Sequence, residues 1–212
     1  MGILDSGLLG PVRKKTGPAI GRMHNGQNVV SALYRKSTKP RTQGQLDSQI
    51  KLGLLNGYLS MIDVLVKPGF AAYTKKNMSP VNAAFSYNYD HAFIQEGDQW
   101  LLDYPKIVYS RGDILAPDVA EVEHVEGMIR FSWLPQRQSS YCQFTDLASF
   151  LFIDPSDEHG LILQYQVTRN TLKFETAVHE SEVGRTFHCF MNLCSADGKK
   201  QGDSMYVGEV KV

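Results

Sequence analysis

The amino-terminal part of the chain carries a run of basic residues that could bind phosphate groups. These residues are Arg13, Lys14, Lys15, Arg22, Arg35, Lys36, Lys39 and Arg41. Gly, Asn, Gln, Ser and Thr lie between them, and several of these can also contact phosphate without recognising a base. Eight positive charges would give an affinity that falls steeply with salt concentration. The run therefore predicts a nucleic-acid-binding module as an alternative function of the protein.

No sequence pattern typical of a catalytic or metal site accompanies the basic run. The phosphate-loop pattern G-x-x-x-x-G-K-[ST] and the nucleophile pattern G-x-S-x-G do not occur. His179 and Glu180 begin like a zinc-protease motif, but the second histidine is missing. Cys189 with His179 or His188 would be a Cys/His nucleophile pair only if their side chains were close in space, which the sequence does not show, so we interpret Cys189 as a structural cysteine in a strand. We expect a protein that is not an enzyme and has no cofactor, metal or small-molecule substrate.

Composition and cysteine usage place the chain among ordinary globular proteins. Its 212 residues are 42% hydrophobic and 21% charged. Three cysteines, Cys142, Cys189 and Cys194, show no C-x-x-C spacing, so we expect small buried thiols in a reducing compartment. No apolar stretch approaches the length of a membrane span, and the amino terminus does not resemble a signal peptide. The expectation is folding in the cytoplasm without a membrane span.

Charge is distributed unevenly along the chain although the total is zero. Residues 1–80 contain 12 Lys and Arg against 3 Asp and Glu, whereas the remainder contains 10 against 19. Such asymmetry favours either a polyanionic partner for the basic part or a head-to-tail contact between copies of the chain.

The basic run lies on an amino-terminal arm and a β-hairpin. Residues 1–17 contain four Gly and one Pro without periodicity, which predicts an extended arm. Asn25-Gly26 is a strong hairpin-turn signal between two strand-like segments. In the second strand both faces are apolar, so we expect this hairpin to be covered by other elements or by a neighbouring copy. The candidate assembly residues here are Val29, Val30, Leu33 and Tyr34.

Two helices are predicted after the hairpin. The first runs from about Gln43 to Val66. Its apolar stripe comprises Leu46, Ile50, Leu54, Tyr58, Met61 and Leu65. Gly53 and Gly57 lower helix propensity, so we predict that another backbone packs closely there and add both to the assembly residues. Ser79-Pro80 is typical of a helix start and predicts a second helix through about Ala92.

The pattern changes after residue 116 to short strands separated by Gly, Pro, Asp and Ser. The predicted strands are 119–125, 127–134, 147–153, 160–167, 171–178, 186–194 and 204–211. Seven strands in about 95 residues are typical of an immunoglobulin-like or fibronectin type III-like sandwich. We predict an α+β fold with two domains: arm, hairpin and helical module over 1–113, and the sandwich over 114–212.

Several separated motifs resemble one family along nearly the whole chain. They include GLLGPVRKKTGPAIGR, HNGQNVVSALYRK, KPRTQGQLDSQIKLGLLNGYL, NAAFSYN, YPKIVYSRGD and SADGKKQGDSMYVGEVKV. The family consists of bacterial proteins of about this length, chiefly from Bacteroidota, and is known only as a domain of unknown function. The resemblance implies no activity, cofactor or site residue. It also brings phage-like structural proteins to mind.

The combined features predict a non-enzymatic structural protein that self-associates. The uneven charge distribution along the chain, the hairpin with two apolar faces and the exposed edges of a sandwich all favour contacts between copies. The product could be an oligomer, a filament or a phage-like particle, and its final location could be in a released particle.

Overall fold

The computed structural model describes residues 3–4, 12–24, 26–34, 38–76, 78–156 and 160–212. Contacts divide the chain into two compact units, Met1–Gln43 (unit 1) and Gly44–Val212 (unit 2). The described residues have mixed α and β content with several antiparallel sheets. Among them, no helix is both long and apolar enough to cross a membrane.

Unit 1 is a four-stranded antiparallel sheet. Its strands are β1 (Ile3–Leu4), β2 (Val12–Thr16), β3 (Ala19–His24) and β4 (Gln27–Ala32), in that order. The predicted hairpin is confirmed, because His24 pairs with Gln27 and Gly26 has a φ of 76°. Asn25 lies outside the described residues. The predicted arm is wrong for residues 12–16, whose backbone pairs with β3 and gains hydrogen bonds that a free arm would make only to water.

Three helices follow the sheet of unit 1 in the chain. They are α1 (Gln43–Met61), α2 (Asp63–Gly69) and α3 (Pro80–Asn88). The predicted first helix is interrupted at Ile62, and the predicted second helix ends at Asn88. Its start is confirmed, because the Ser79 hydroxyl accepts a hydrogen bond from the Asn82 backbone N–H at 3.2 Å.

Only the carboxy-terminal part of α1 is buried. Leu46 and Ile50 of the predicted stripe are exposed, whereas Leu55 and Leu59 are fully buried. Tyr58 and Leu65 of the stripe are buried as well, and Leu54 and Met61 are half-buried. The predicted stripe is therefore wrong only at its amino-terminal end, because tertiary packing covers α1 from its middle onward.

Unit 2 continues with nine strands. They are β5 (Phe93–Glu96), β6 (Gln99–Leu102), β7 (Ala120–Val125), β8 (Met128–Trp133), β9 (Leu147–Ile153), β10 (Gly160–Thr168), β11 (Lys173–Ala177), β12 (Thr186–Cys194) and β13 (Met205–Lys211). Strands β5 and β6 form a hairpin, β10-β9-β12-β13 a four-stranded sheet, and β11-β8-β7 a three-stranded sheet. The seven predicted strands are confirmed as β7 to β13, with ends within two residues.

The four-stranded sheet is covered on both faces. On one face Phe150 contacts Phe131 and Phe174 of the three-stranded sheet, with ring centroids 4.7 and 4.3 Å apart. On the other face Leu151 and Phe190 share a core with residues of the helices. Because β9 has both faces covered, all of its residues except the first are buried.

The predicted domain boundary at residues 113 and 114 falls inside unit 2. Segments from both sides of it are joined by hydrogen bonds: the Tyr109 N–H donates to the Ser204 hydroxyl at 3.0 Å, and the Ser110 hydroxyl donates to the Gly202 carbonyl at 2.8 Å. The helices also share a core with the four-stranded sheet. The helices and the predicted sandwich therefore belong to one packed unit, although the change in sequence composition separates them.

Candidate functional site

One face of the unit 1 sheet carries basic side chains. Residues paired across neighbouring strands share a face. Lys15 pairs with Ile20 and Arg22 pairs with Val29, so the alternation of β3 brings these four side chains to one face. Lys15 and Arg22 are exposed, and Ile20 and Val29 are half-buried. We call these four residues the basic face.

The opposite face of this sheet is apolar. Gly21 pairs with Val30 and Met23 pairs with Asn28. Met23 and Val30 are 50% and 54% exposed. We call Met23, Val30 and Ala32 the apolar face. It confirms the prediction that Val30 and Val29 lie on opposite sides of β4.

Gly21 of β3 allows the backbone at the start of β2 to approach β3 closely. A Cβ at Gly21 would lie 1.8 Å from the carbonyl oxygen of Val12. The side-chain amide of Asn28 lies 3.0 and 3.1 Å from the backbone nitrogen and oxygen of Val12. Lys14, two residues after Val12 on β2, has a φ of 63°, which turns the chain at that point.

Unit 1 has very little core in the part of the chain that the structure describes. Gly21 is the only one of its described residues that is buried. Leu33 is exposed, and Tyr34 is 80% exposed. Its apolar side chains are therefore available to a partner.

The other predicted basic residues occupy different places. Arg13 and Lys14 lie on β2 and are exposed, and Lys39 and Arg41 lie in the exposed segment before α1. Arg35 and Lys36 lie outside the described residues. The strand pairing thus brings Lys15 and Arg22 to one face of the sheet.

Two of the three glycines of α1, Gly53 and Gly57, line a cavity. Among the described residues, and apart from the neighbouring backbone of α1 itself, no atom lies within 4 Å of a Cβ built at Gly53 or Gly57, so a close backbone contact stays a prediction for a second copy only. The cavity has a volume of about 570 Å³. Its walls are Gly53, Leu54, Gly57, Tyr58 and Met61 of α1, with Leu102, Tyr104, Ile153, Pro155 and Ser156 opposite.

One residue of the cavity wall, Tyr58, has a buried hydroxyl without a hydrogen-bond partner among the described residues. Burial, with a smaller effect of Tyr109 and Tyr104, raises the pKa of Tyr58 well above 10. The group is therefore a neutral donor at any physiological pH. The sequence places Tyr58 on an apolar stripe but gives no signal for the cavity, which depends on how α1 meets the sheet.

A second exposed apolar surface lies at one end of the two sheets of unit 2. It comprises Leu115, Val119, Leu134, Tyr141 and Phe144, each 44% to 58% exposed. The Leu115 N–H donates to the Tyr141 carbonyl at 2.9 Å, and the Leu134 N–H donates to the Val119 carbonyl at 3.2 Å. We call these five residues the end patch. The sequence does not indicate this patch, because loop residues lack periodicity.

The buried Arg169 holds the loops of the end patch together. Its guanidinium donates to the Leu115 carbonyl at 2.5 Å and to Asp146 at 3.1 Å. The backbone N–H of Asn170 donates to the carbonyl of Phe144 at 3.3 Å. The patch is therefore built on a fixed polar frame.

The histidine and cysteine residues do not form the nucleophilic pair. The thiol of Cys189 donates to the Phe187 carbonyl at 3.7 Å, and burial raises the pKa of this thiol to about 12. His188 lies 2.9 Å from the Tyr206 hydroxyl and stacks on Tyr104. All three cysteines are free and buried, as predicted.

The architecture defines a mixed α and β protein in which helices and a three-stranded sheet cover a four-stranded sheet. Residues 11–208 match the model of the Family of unknown function (DUF6266), so the chain belongs to this family. This confirms the resemblance to a family of unknown function. No curated protein matches the chain.

Proposed function

We propose that this protein is a non-enzymatic structural protein that assembles head to tail. The apolar face of unit 1 in one copy docks on the end patch of unit 2 in the next. The observation that carries the proposal is the small core of unit 1, whose described apolar side chains are exposed or half-buried on a four-stranded sheet. Small sheets of this kind gain stability by packing against another surface.

Charge complementarity favours a second copy as the occupant. Residues 1–43 contain eight basic residues and one acidic residue, whereas residues 44–212 contain 14 basic and 21 acidic residues. Glu121 lies beside Val119 and Leu134 at the end patch. The net positive charge of unit 1 thus complements the net negative charge of unit 2 in the next copy, which favours encounter.

Head-to-tail contacts use two different surfaces. Such contacts produce a ring or closed particle when the rotation closes, and a filament when it does not. The oligomer, filament and phage-like particle are all products of the same interface in this proposal.

Two single variants test the interface from its two sides. Light scattering coupled to size-exclusion chromatography should give a wild-type mass several times 23.8 kDa. Val30→Lys places a charge on the apolar face and Leu134→Lys places one on the end patch, so each variant alone should be monomeric. Val183→Lys is the matched control, because Val183 is 70% exposed in unit 2 and outside both surfaces.

A mixture of the two variants distinguishes head-to-tail contacts from symmetric ones. Val30→Lys keeps an intact end patch, and Leu134→Lys keeps an intact apolar face, so an equimolar mixture should form a one-to-one dimer. Failure to form that dimer, or a monomeric wild type at low salt and high concentration, would contradict the proposal.

We also infer that β7 to β13 form an immunoglobulin-like sandwich of the fibronectin type III kind. Its support is the strand arrangement: the first, second and fifth strands form one sheet, and the third, fourth, sixth and seventh form the other. An experimental structure in which the fourth strand pairs with the fifth would favour the antibody constant type instead.

The basic face supports nucleic-acid binding as a second candidate function. Lys15 and Arg22 lie together on it, and Lys14 is exposed on the neighbouring position of β2. Lys14→Glu with Lys15→Glu should abolish retention on a polyanion column. Lys199→Glu with Lys200→Glu, two exposed lysines of unit 2, is the control with the same charge change. Equal retention of both variants and the wild type would reject this candidate.

A further inference from the structure

We propose that Arg111 is the centre of a binding site for the carboxylate group of a ligand. The site lies within unit 2 and consists of Arg111, Tyr73 in the segment after α2, and Tyr87 of α3. We call these three residues the arginine site. None of them belongs to the apolar face or to the end patch, so the inference does not depend on the proposed assembly.

Two tyrosine rings hold the side chain of Arg111. Its guanidinium carbon lies 4.3 Å from the ring centroid of Tyr73 and 4.3 Å from that of Tyr87. The buried ring of Phe70 packs against both tyrosine rings, with centroids 6.2 and 6.0 Å apart. The backbone is fixed as well, because the Arg111 N–H donates to the Gly69 carbonyl at 2.9 Å. A ligand would therefore meet a guanidinium that has already lost much of its rotamer freedom.

The Arg111 guanidinium has no counter-charge among the described residues. Three other arginines of unit 2 pair with carboxylates, and they are Arg130, Arg169 and Arg185. Arg111 is half-buried, and within the described part of the chain its side chain makes neither a hydrogen bond nor an ion pair. The tyrosine rings attract the cation, but they do not replace an anionic acceptor for its N–H donors. An anionic ligand would supply that acceptor.

The shape of the guanidinium and the exposure of its neighbours fit a carboxylate ligand. Tyr73 and Tyr87 are 39% and 41% exposed, so the arginine site lies at the surface of the protein. A guanidinium presents its N–H groups as a planar fork, which matches the two oxygens of a carboxylate. Two parallel hydrogen bonds to one ligand group would then fix the orientation of the ligand.

The charges near the arginine site favour an anion with a single charge. Lys75 and Lys76 follow the first tyrosine in the chain, and both are exposed and attract anions. The Asp203 carboxylate accepts a hydrogen bond from the Gly112 N–H at 3.0 Å, and Asp113 is exposed. These two carboxylates repel a phosphate dianion more strongly than a carboxylate. The local charges therefore favour a carboxylate over a phosphate.

The experiment is a nuclear magnetic resonance titration of the full chain with sodium acetate, which replaces sodium chloride at constant ionic strength. Ring currents of the two tyrosines should separate the Nε–H signal of Arg111 from those of the other arginines. We expect saturable shifts of this signal and of the Gly112 backbone N–H. Arg137 is the internal control, because it is an exposed arginine of unit 2 and should show no saturable shift.

Four variants test the role of each part of the arginine site, with the Gly112 N–H as the reporter. Arg111→Lys keeps the charge but loses the planar fork, so it should weaken acetate binding about tenfold. Tyr87→Ala removes one of the two rings and should weaken binding about threefold. Tyr87→Phe keeps the ring and should bind as the wild type does. Arg137→Lys is the matched control for the arginine substitution and should also bind as the wild type does.

A peptide titration distinguishes two sources of the carboxylate. The probes are trialanine acetylated at its amino terminus and the carboxy-terminal amide of the same peptide. Tighter binding of the acid than of acetate would assign the site to a peptide terminus, whereas equal binding would assign it to a small molecule. Binding of the amide as strongly as the acid would overturn the inference, because the amide lacks the negative charge.

Three further results would overturn the inference. They are the absence of a saturable Arg111 shift in the folded wild type, equal affinity of Arg111→Lys and wild type, and tighter binding of phosphate than of acetate. Val30→Lys should bind acetate as the wild type does, whether or not it assembles. Loss of binding in Val30→Lys would show that the site requires a second copy and would also overturn the inference.

Discussion

Arg169 shows how one buried charge organises a surface. The side chains of Arg169 and Asp146 are only 3% and 2% exposed, and their charged atoms lie 3.1 Å apart. Arg169 also receives the indole N–H of Trp133 on its backbone carbonyl at 2.9 Å. The ion pair therefore connects the core of the two sheets with the loops that carry the end patch.

Removal of one partner of this pair should be more damaging than removal of both. Asp146→Ala leaves the buried guanidinium without its counter-charge, so we expect the free energy of unfolding to fall by about 3–5 kcal/mol. The double variant Asp146→Leu, Arg169→Met removes both charges and should lose less. Urea unfolding followed by circular dichroism measures both values. A larger loss in the double variant would contradict this role of the pair.

His188 should make stability sensitive to mildly acidic pH. Burial lowers the pKa of His188, although Glu209 opposes this. In the unfolded chain the pKa is about 6.5, so the unfolded state binds the proton first as pH falls. Stability from the neutral imidazole is complete above pH 6.5 and is lost as pH falls through the folded pKa.

His188→Gln should flatten the upper part of this pH profile. Unfolding free energies measured between pH 7.5 and 5 should fall less steeply for the variant than for the wild type. His124→Gln is the control, since His124 is exposed on β7. Equal slopes for wild type and His188→Gln would show that this histidine does not contribute.

At the scale of elements, glycines have opposite roles in helix and loop. Gly53 in α1 faces open space, whereas a Cβ at Gly112 would lie 1.8 Å from the carbonyl oxygen of Gln201. Gly112 is thus required for close approach of two chain segments, and Gly53 is not.

Alanine substitution should separate these two roles. Gly53→Ala should raise the free energy of unfolding by about 0.5–1 kcal/mol, because alanine loses less backbone entropy in a helix. Gly112→Ala should lower it by several kcal/mol or prevent folding. Thermal unfolding of the two variants beside the wild type provides the comparison, and destabilisation by Gly53→Ala would contradict the open surroundings of α1.

The strands of unit 2 could be predicted from sequence, but the surroundings of α1 could not. Alternating patterns and turn residues are local signals, and they locate β7 to β13 within two residues. Ile50 lies on the predicted stripe but is exposed, whereas Leu55 is buried in the core that contains Leu151 and Phe190. These two residues lie far along the chain from α1. The cavity depends on the same contact. The sequence therefore identifies Gly53 and Gly57 as unusual residues in a helix, but it does not indicate what surrounds them.

At the scale of the whole molecule, the unit boundary coincides with the change in charge. Unit 1 holds eight of the 22 basic residues in 43 positions and one acidic residue. This sharpens the asymmetry that the sequence shows along the chain. Truncation at the unit boundary can test whether unit 2 folds without unit 1.

Truncation should show that the folding unit begins near residue 44. A fragment of residues 44–212 keeps both cores, so we expect native-like circular dichroism and cooperative thermal unfolding. A fragment of residues 114–212 loses the helices and exposes Leu151, Ile153 and Phe190, so it should aggregate or lack cooperative unfolding. Cooperative folding of the shorter fragment would instead support the domain boundary that composition predicts.

The central position of β9 has a consequence for the order of events during synthesis. The helices that cover one face of β9 leave the ribosome well before β9 and its neighbour β12, whose partner residues lie about 40 positions later. Until residue 194 has emerged, the apolar side chains of α1 and α2 have no sheet to cover. We therefore expect the nascent chain to depend on chaperone protection for this interval, and slow codons just after residue 100 to lower the yield of folded protein.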